Sequence, residues 1–198
     1  MKLKKNRTIM SNTSYNIGLV QINNSFSEAN YLPYSIGLLQ AYAEKKLANP
    51  LKFNYIDPIF KRVSIQEALS HLAKVDIAGF SLYVWNEKLS LEIMRELKAA
   101  YPKILIICGG PQVPDQSEQF LRENFFIDVT VHGEGEQTFL NLLDIYPSRD
   151  WSIVSGVSWI SDDGSFITNP KSERMKDLSS LPSPYLNGVF DSLMEKNP

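Results

Sequence analysis

Apolar and polar residues are grouped in blocks along this chain, and the spacing within the blocks switches repeatedly between strand and helix. "YNIGLVQI" (15–22) is almost continuously apolar and short, which predicts a buried strand. "YLPYSIGLLQAYAEKK" (31–46) follows, with Ile36, Leu39, Ala43 and then Leu47 at helical spacing and Pro33 suited to a first turn. "LKFNYID" (51–57) predicts a second strand, closed by Asp57 and Pro58. In "SIQEALSHLAKV" (64–75), Ser64 precedes Glu67 by three residues, the capping-box spacing that opens a helix. "DIAGFSLYV" (76–84) predicts a third strand and "NEKLSLEIMRELKAAY" (86–101) an amphipathic third helix. "KILIIC" (103–108), a helix near 115–124, "DVTV" (128–131) and a helix near 136–145 complete the series.

Strand and helix thus alternate five times, and the strands are too uniformly apolar to have a wet face. That pattern predicts an α/β fold: a five-stranded parallel Rossmann-like sheet, flavodoxin-like in order, with helices on both faces. The register changes near residue 150. "IVSGVSWISDDGSFITNP" (153–170) reads as a β-hairpin about Asp163-Gly164, and "KDLSSLPSPYL" (176–186) as a polar, proline-bearing linker. The expected organisation is a disordered N-terminus (1–14), a Rossmann-like domain (15–150), a hairpin appendage (151–175) and a linker toward a further domain (176–198).

Composition narrows the function classes. With 20 basic against 22 acidic residues the net charge is −2, so no electrostatic grip on nucleic acid or an anionic membrane is expected. No apolar run approaches the roughly 20 residues of a membrane span. The basic start "MKLKKNR" runs into polar Ser11, Asn12 and Thr13, unlike a signal peptide. The single cysteine excludes an internal disulfide and any multi-cysteine zinc site or iron–sulfur cluster within this sequence, and the expected location is the cytoplasm.

In an open parallel sheet, ligands lie beyond the carboxyl ends of the strands. Here those ends carry "NNSFSEANYLP" (23–33), "SLYVWN" (81–86), "GGPQVP" (109–114) and "HGEGEQ" (132–137). Glycine in such turns either serves the turn's own backbone or lets a ligand press close. A dinucleotide is disfavoured, because no G-x-G-x-x-G follows the first strand, and Gly133 and Gly135 are interleaved with Glu134 and Glu136, which would repel phosphate. A Walker loop is absent too. The turns are suited to a large, weakly charged ligand held by backbone.

Together, "DIAGFSLYVWN", "ILIICGGPQVP", "DVTVHGEGEQTFLNLL" and "LSSLPSPY" resemble the N-terminal cobalamin-binding domain of cobalamin-dependent radical S-adenosylmethionine proteins, over most of residues 15–186. The resemblance implies a Rossmann-like domain that holds cobalamin over a neighbouring barrel. That barrel would carry the iron–sulfur cluster and S-adenosylmethionine, and many members are methyltransferases. It places Ser81, Leu82, Tyr83, Val84 and Trp85, then Gly109, Gly110, Pro111 and Gln112, then Gly133, Glu134, Gly135 and Glu136 around the cobalamin. The glycine turns would meet the corrin edge and nucleotide tail, and the 81–85 segment the lower face. The partner implied is a radical S-adenosylmethionine catalytic domain, in the same parent chain or as a separate subunit, reached through 176–198.

Two departures qualify this. The barrel's three-cysteine motif is absent, and Cys108 stands alone in a strand, where a buried small apolar role is expected. The methionine-synthase type of cobalamin domain takes an axial histidine from the loop after the first strand, but "NNSFSEA" has none. His71 falls within a predicted helix, and His132 is either a hydrogen-bonded turn residue or a group on the ligand side. Trp85 is either rim packing or a stacking surface, and Asp162-Asp163-Gly164 is a hairpin turn without calcium-loop spacing. No catalytic or metal-ligating residue is assigned. The expected function is a cobalamin-binding module. The alternatives are a degenerate Rossmann-like domain, cofactor-free and used for substrate recruitment or subunit contact, and, less well matched, a transferase half-domain.

Overall fold

The computed structural model of the protein describes residues 14–27 and 29–196, so the expectation of disorder before Ser14 lies outside the described residues. Strand β1 (Tyr15–Val20) is followed by a two-rung hairpin, β2 (Ser25–Phe26) with β3 (Ala29–Asn30), and by helix α1 (Tyr34–Lys46). Then come β4 (Phe53–Tyr55), α2 (Ile65–Leu72), β5 (Ile77–Ser81), α3 (Glu87–Ala100), β6 (Leu105–Gly109), α4 (Glu118–Glu123), β7 (Val129–Val131) and α5 (Gly135–Ile145). The described residues end with β8 (Val157–Ile160), β9 (Phe166–Thr168) and α6 (Asp191–Lys196). The predicted capping box opens α2: Ser64 Oγ accepts from the Glu67 N–H at 3.2 Å, and Glu67 accepts from the Ser64 N–H at 2.8 Å.

The main sheet runs β4-β1-β5-β6-β7-β8-β9. Its first five strands are parallel and keep the expected flavodoxin-like order. The expected count of five strands needs correction. The hairpin β8–β9 pairs antiparallel with β7, Thr130 against Ser158 and Val131 against Val157, and makes the sheet seven-stranded. The cause is the bare edge that the three-residue β7 would otherwise present; Val157, Ser158 and Trp159 are buried in covering it.

Alternate strand residues feed two cores, as a pleated sheet requires. Ile17, Leu19, Ile77, Leu105, Ile107, Val129 and Val131 pack with α1 and α5. Val20, Ala78, Phe80, Ile106 and Cys108 pack with α2, α3 and α4. Each fully buried aliphatic side chain contributes about 1.5–3 kcal/mol, so both faces of the sheet are strongly held.

Residues 176–196 are less extended than their prolines predict. They form a short 3-10 turn at Leu178–Ser180 and then α6, with Phe190 fully buried. Val189, Phe190 and Leu193 supply an apolar face that joins Phe60 and Leu32 in a third cluster. Among the described residues no helix is long and apolar enough to cross a membrane.

Candidate functional site

The carboxyl ends of β5, β6 and β7 open onto one cavity of about 660 Å³. Its floor is Leu19, Gly79, Ile107 and Val131, alternate positions on the face that carries α1 and α5. Ser35, Ile36 and Leu39 of α1 and Phe139 of α5 form walls. The rim is made by Ser81 and Tyr83, by Gly109, Gly110 and Pro111, by Val113, Pro114 and Asp115, and by Gly133, Glu134, Gly135 and Glu136.

The two glycine turns are built for different reasons. Gly110 has φ +105°, and a Cβ there would stand 2.6 Å from the Leu82 carbonyl oxygen and 2.7 Å from its nitrogen. The Leu82 N–H donates to the Gly109 carbonyl at 2.8 Å, and the Gln112 N–H donates to the Leu82 carbonyl at 3.3 Å. Backbone just beyond β5 therefore excludes a side chain at Gly110. Gly133 has φ +73°, yet nothing lies within 4 Å of its Cβ position. That turn leaves open space at the cavity's edge, the approach that a ligand pressed on backbone requires.

Tyr83 is held from several sides. Its hydroxyl lies 2.6 Å from Ser35 Oγ, which ties the β5–α3 loop to α1, and its N–H donates to Asn86 Oδ1 at 2.9 Å. The buried Asn86 amide donates in turn to the carbonyls of Ile22 (3.0 Å) and Ser81 (3.1 Å). Trp85 stacks on Tyr83 with ring centroids 4.7 Å apart and anchors its indole N–H on the Ile22 carbonyl at 3.1 Å. It braces Tyr83 from behind.

Four of the residues assigned by resemblance do not line the cavity. Leu82 is fully buried among the α2–α4 core, Val84 is 73% exposed, Trp85 stands behind Tyr83, and Gln112 is placed by its backbone bond to Leu82. Sequence reasoning missed Ser35, Ile36, Leu39 and Phe139: the spacing of Ile36 and Leu39 reads as core, and no local motif marks Ser35 or Phe139. It also missed Val113, Pro114 and Asp115, beyond the glycine pair.

His132 follows β7 but its ring turns away from the cavity. Nε2 lies 2.8 Å from Ser158 Oγ, which donates onward to Thr168 Oγ1 at 2.9 Å, so Nε2 carries the proton. Thr130 and Ser117 stand beside it, and Nδ1 is buried without a hydrogen-bond partner. Burial holds the imidazole pKa below its ordinary value. His71 is spent elsewhere, with Nε2 2.7 Å from the Asp57 carbonyl.

The charged lining residues are Asp115, Glu134 and Glu136, all acidic. Asp115 pairs with Lys171 at 2.8 Å, which holds its carboxyl below the usual range, and Glu134 accepts the Met175 N–H at 2.7 Å. Glu136 lies in the first turn of α5, where it complements the helix dipole. With no basic residue in its lining, the cavity is poorly made for a polyphosphate. Among the described residues no three His, Cys, Asp or Glu side chains gather to hold a metal, and the buried Cys108 thiol is pushed up in pKa by desolvation.

The chain is similar to several known proteins. The cobalamin-dependent radical SAM methyltransferase TokK of Streptomyces tokunonensis is 35% identical over 83% of this chain and 24% of its own length. The 2-(S-pantetheinyl)-carbapenam-3-carboxylate methyltransferase of Streptantibioticus cattleyicolor is 34% identical over 81% of the chain and 24% of its own length. The chain thus spans about a quarter of the length of these relatives. The cobalamin-dependent S-adenosylmethionine radical enzyme OxsB, solved with aqua-cobalamin and S-adenosylmethionine, superposes with a TM-score of 0.71 at 21% identity, covering 92% of this chain and 26% of that one. The B12 binding domain family matches residues 10–143, and this chain belongs to that family.

Proposed function

We propose that the cavity holds cobalamin and that this domain presents it to the catalytic part of a radical S-adenosylmethionine methyltransferase. The observation that carries the reading is the turn at Gly133, open for 4 Å around its Cβ position beside a cavity without cations. A corrin is broad, largely apolar and fringed with amides, so close backbone and apolar walls suit it better than charge. When bound, cobalamin supplies the cobalt centre on which methyl transfer by such enzymes depends. The residues of this chain hold and orient it. Gly133, Glu134, Gly135 and Glu136, with Gly109, Gly110 and Pro111, would follow the corrin edge and nucleotide tail. Tyr83, braced by Trp85 and Ser35, would support the lower face and keep water from it.

The iron–sulfur cluster and S-adenosylmethionine then belong to a partner domain reached through residues 176–198, in the same parent chain or as a separate subunit. A cytoplasmic location suits a buried, reduced Cys108. The alternative of a cofactor-free recruiting domain has no support from the family match, which is to the B12 binding domain over residues 10–143. The test is incubation with hydroxocobalamin followed by desalting: about one equivalent of the cobalamin absorption should stay with the protein. A colourless protein, with its fold intact by circular dichroism, would overturn the proposal.

A further inference from the structure

Helix α1 contains a glycine whose purpose is not conformational. Gly37 lies one turn into the helix, buried, with helical backbone. Glycine there weakens a helix, because more backbone freedom is lost and no side chain packs. What Gly37 provides is room. A Cβ at this position would stand 2.2 Å from Cζ and 2.6 Å from Cε1 of Phe190. The Phe190 ring, fully buried, occupies the space an ordinary helical residue would fill.

The segment that delivers Phe190 is held at several points. Tyr185 meets the Phe190 ring edge-on at 5.1 Å and stacks on Tyr34, the first residue of α1, at 6.3 Å. Phe60 and Leu193 complete the apolar cluster, Ser192 Oγ donates to Asp57 at 3.2 Å, and Lys196 pairs with the same carboxylate. The same stretch of α1 has a second task on its other side. Ser35, Ile36 and Leu39 wall the cavity, Ser35 bonds Tyr83, and the Ile36 N–H donates to Gln21 Oε1 at 3.2 Å.

We infer that Phe190 is a positioning residue for the cavity: seated in the gap at Gly37, it fixes the helix turn that carries Ser35, Ile36 and Leu39. The inference rests on the cobalamin reading of the cavity. Because binding linkage is reciprocal, docking of the 184–196 segment strengthens cobalamin binding, and cobalamin holds that segment down by the same factor. A partner domain joined beyond this segment would therefore sense, through Phe190, whether the cavity is filled.

The experiment uses the 198-residue chain, well below its melting temperature. In Phe190→Ala the Kd for hydroxocobalamin should rise about tenfold, within the usual span of coupling between sites, and Phe190→Leu should recover most of the loss. A purely structural role for Phe190 would lower the melting temperature and leave Kd per folded molecule unchanged, which would overturn the inference. The socket has its own check. Gly37→Ala should lower the melting temperature in the wild-type background and raise it in Phe190→Ala, where the ring no longer collides; the same sign in both backgrounds would refute the socket. If the wild-type chain takes up no cobalamin, the reading of the cavity fails by itself. Amide exchange across Ser35–Leu39 then decides the role of Phe190: acceleration in Phe190→Ala supports it and unchanged exchange overturns it.

Discussion

The missing side chain of Gly110 points at Leu82, whose carbonyl oxygen lies 2.6 Å from where a Cβ would stand. Gly133, at the neighbouring strand end, points at nothing within 4 Å. The two glycines are therefore expected to fail differently. Gly110→Ala combines a positive φ with a collision against backbone, and it should cost about 2 kcal/mol or more of stability. Gly133→Ala carries the strain of its φ alone, about 1 kcal/mol, while Gly133→Val adds bulk where the corrin edge would lie. Urea unfolding alongside hydroxocobalamin titration separates them. Equal stability losses, with Gly133→Val binding at wild-type affinity, would show that both glycines serve only their turns.

At the opposite end of the sheet, Lys98 and Asp128 pair at 2.6 Å, with side chains 20% and 17% exposed. Asp128 also accepts the Ile106 N–H at 2.7 Å, and Lys98 donates to the Ile104 carbonyl at 2.7 Å. Asp128→Ala strands a half-buried ammonium and a strand-end N–H, so a loss of about 2–3 kcal/mol is expected. Cobalamin affinity should not change, because this pair stands away from the cavity. A shift in Kd per folded molecule would contradict the placement of the site.

Much of this was legible in the sequence, for physical reasons. Strand runs such as "KILIIC" and the Ser64–Glu67 cap are local signals, and tertiary packing did not override them. The alternation implied a parallel sheet, and right-handed crossovers left few strand orders, among them the one observed. The hairpin was legible as a hairpin, but its pairing with β7 was not, since Thr130 against Ser158 joins residues whose proximity no local pattern states. The site was legible at its glycine rim and hidden at its walls. Ile36 and Leu39 have the spacing of core residues whether they face a core or a cavity. Leu82 and Trp85 fall within a contiguous motif, yet Leu82 joins Phe80 in the α2–α4 core while Trp85, in the turn before α3, stands behind Tyr83. Phe190 was obscured by the prolines before it, because its partner is a glycine in a helix more than a hundred residues away.

His132 should make stability depend on pH. Burial depresses its folded-state pKa, so the unfolded chain takes up a proton that the folded protein resists. The contribution is fully present above the ordinary imidazole value of 6.5 and is lost as pH falls below it toward the depressed folded value. Urea midpoints from pH 7.5 to 5.5 should therefore fall more steeply for the wild type than for His132→Gln, which keeps a donor for Ser158 without titrating. Parallel slopes would mean that the imidazole is freely protonated in the folded state.

The last expectation concerns what lies beneath the cobalt. The sequence contains two histidines, and the structure commits both: His71 to the Asp57 carbonyl, and His132 to Ser158 and a pocket of hydroxyls between β7 and β8. Neither lines the cavity. The residue presented there by the β5–α3 loop is Tyr83, its hydroxyl bonded to Ser35 and its ring backed by Trp85. Under the cobalamin reading, an aromatic face of this kind would stand below the corrin and would supply no nitrogen donor to it. Electron paramagnetic resonance of the cobalt(II) form, bound to the 198-residue chain, should show no superhyperfine splitting from a protein nitrogen, and His132→Ala should leave the spectrum unchanged. Tyr83→Ala, by removing the support, should weaken binding about tenfold, the scale expected for a lost aromatic contact. Nitrogen splitting that vanishes in His132→Ala would mean that the imidazole leaves Ser158 on binding, and the lower face would then belong to His132.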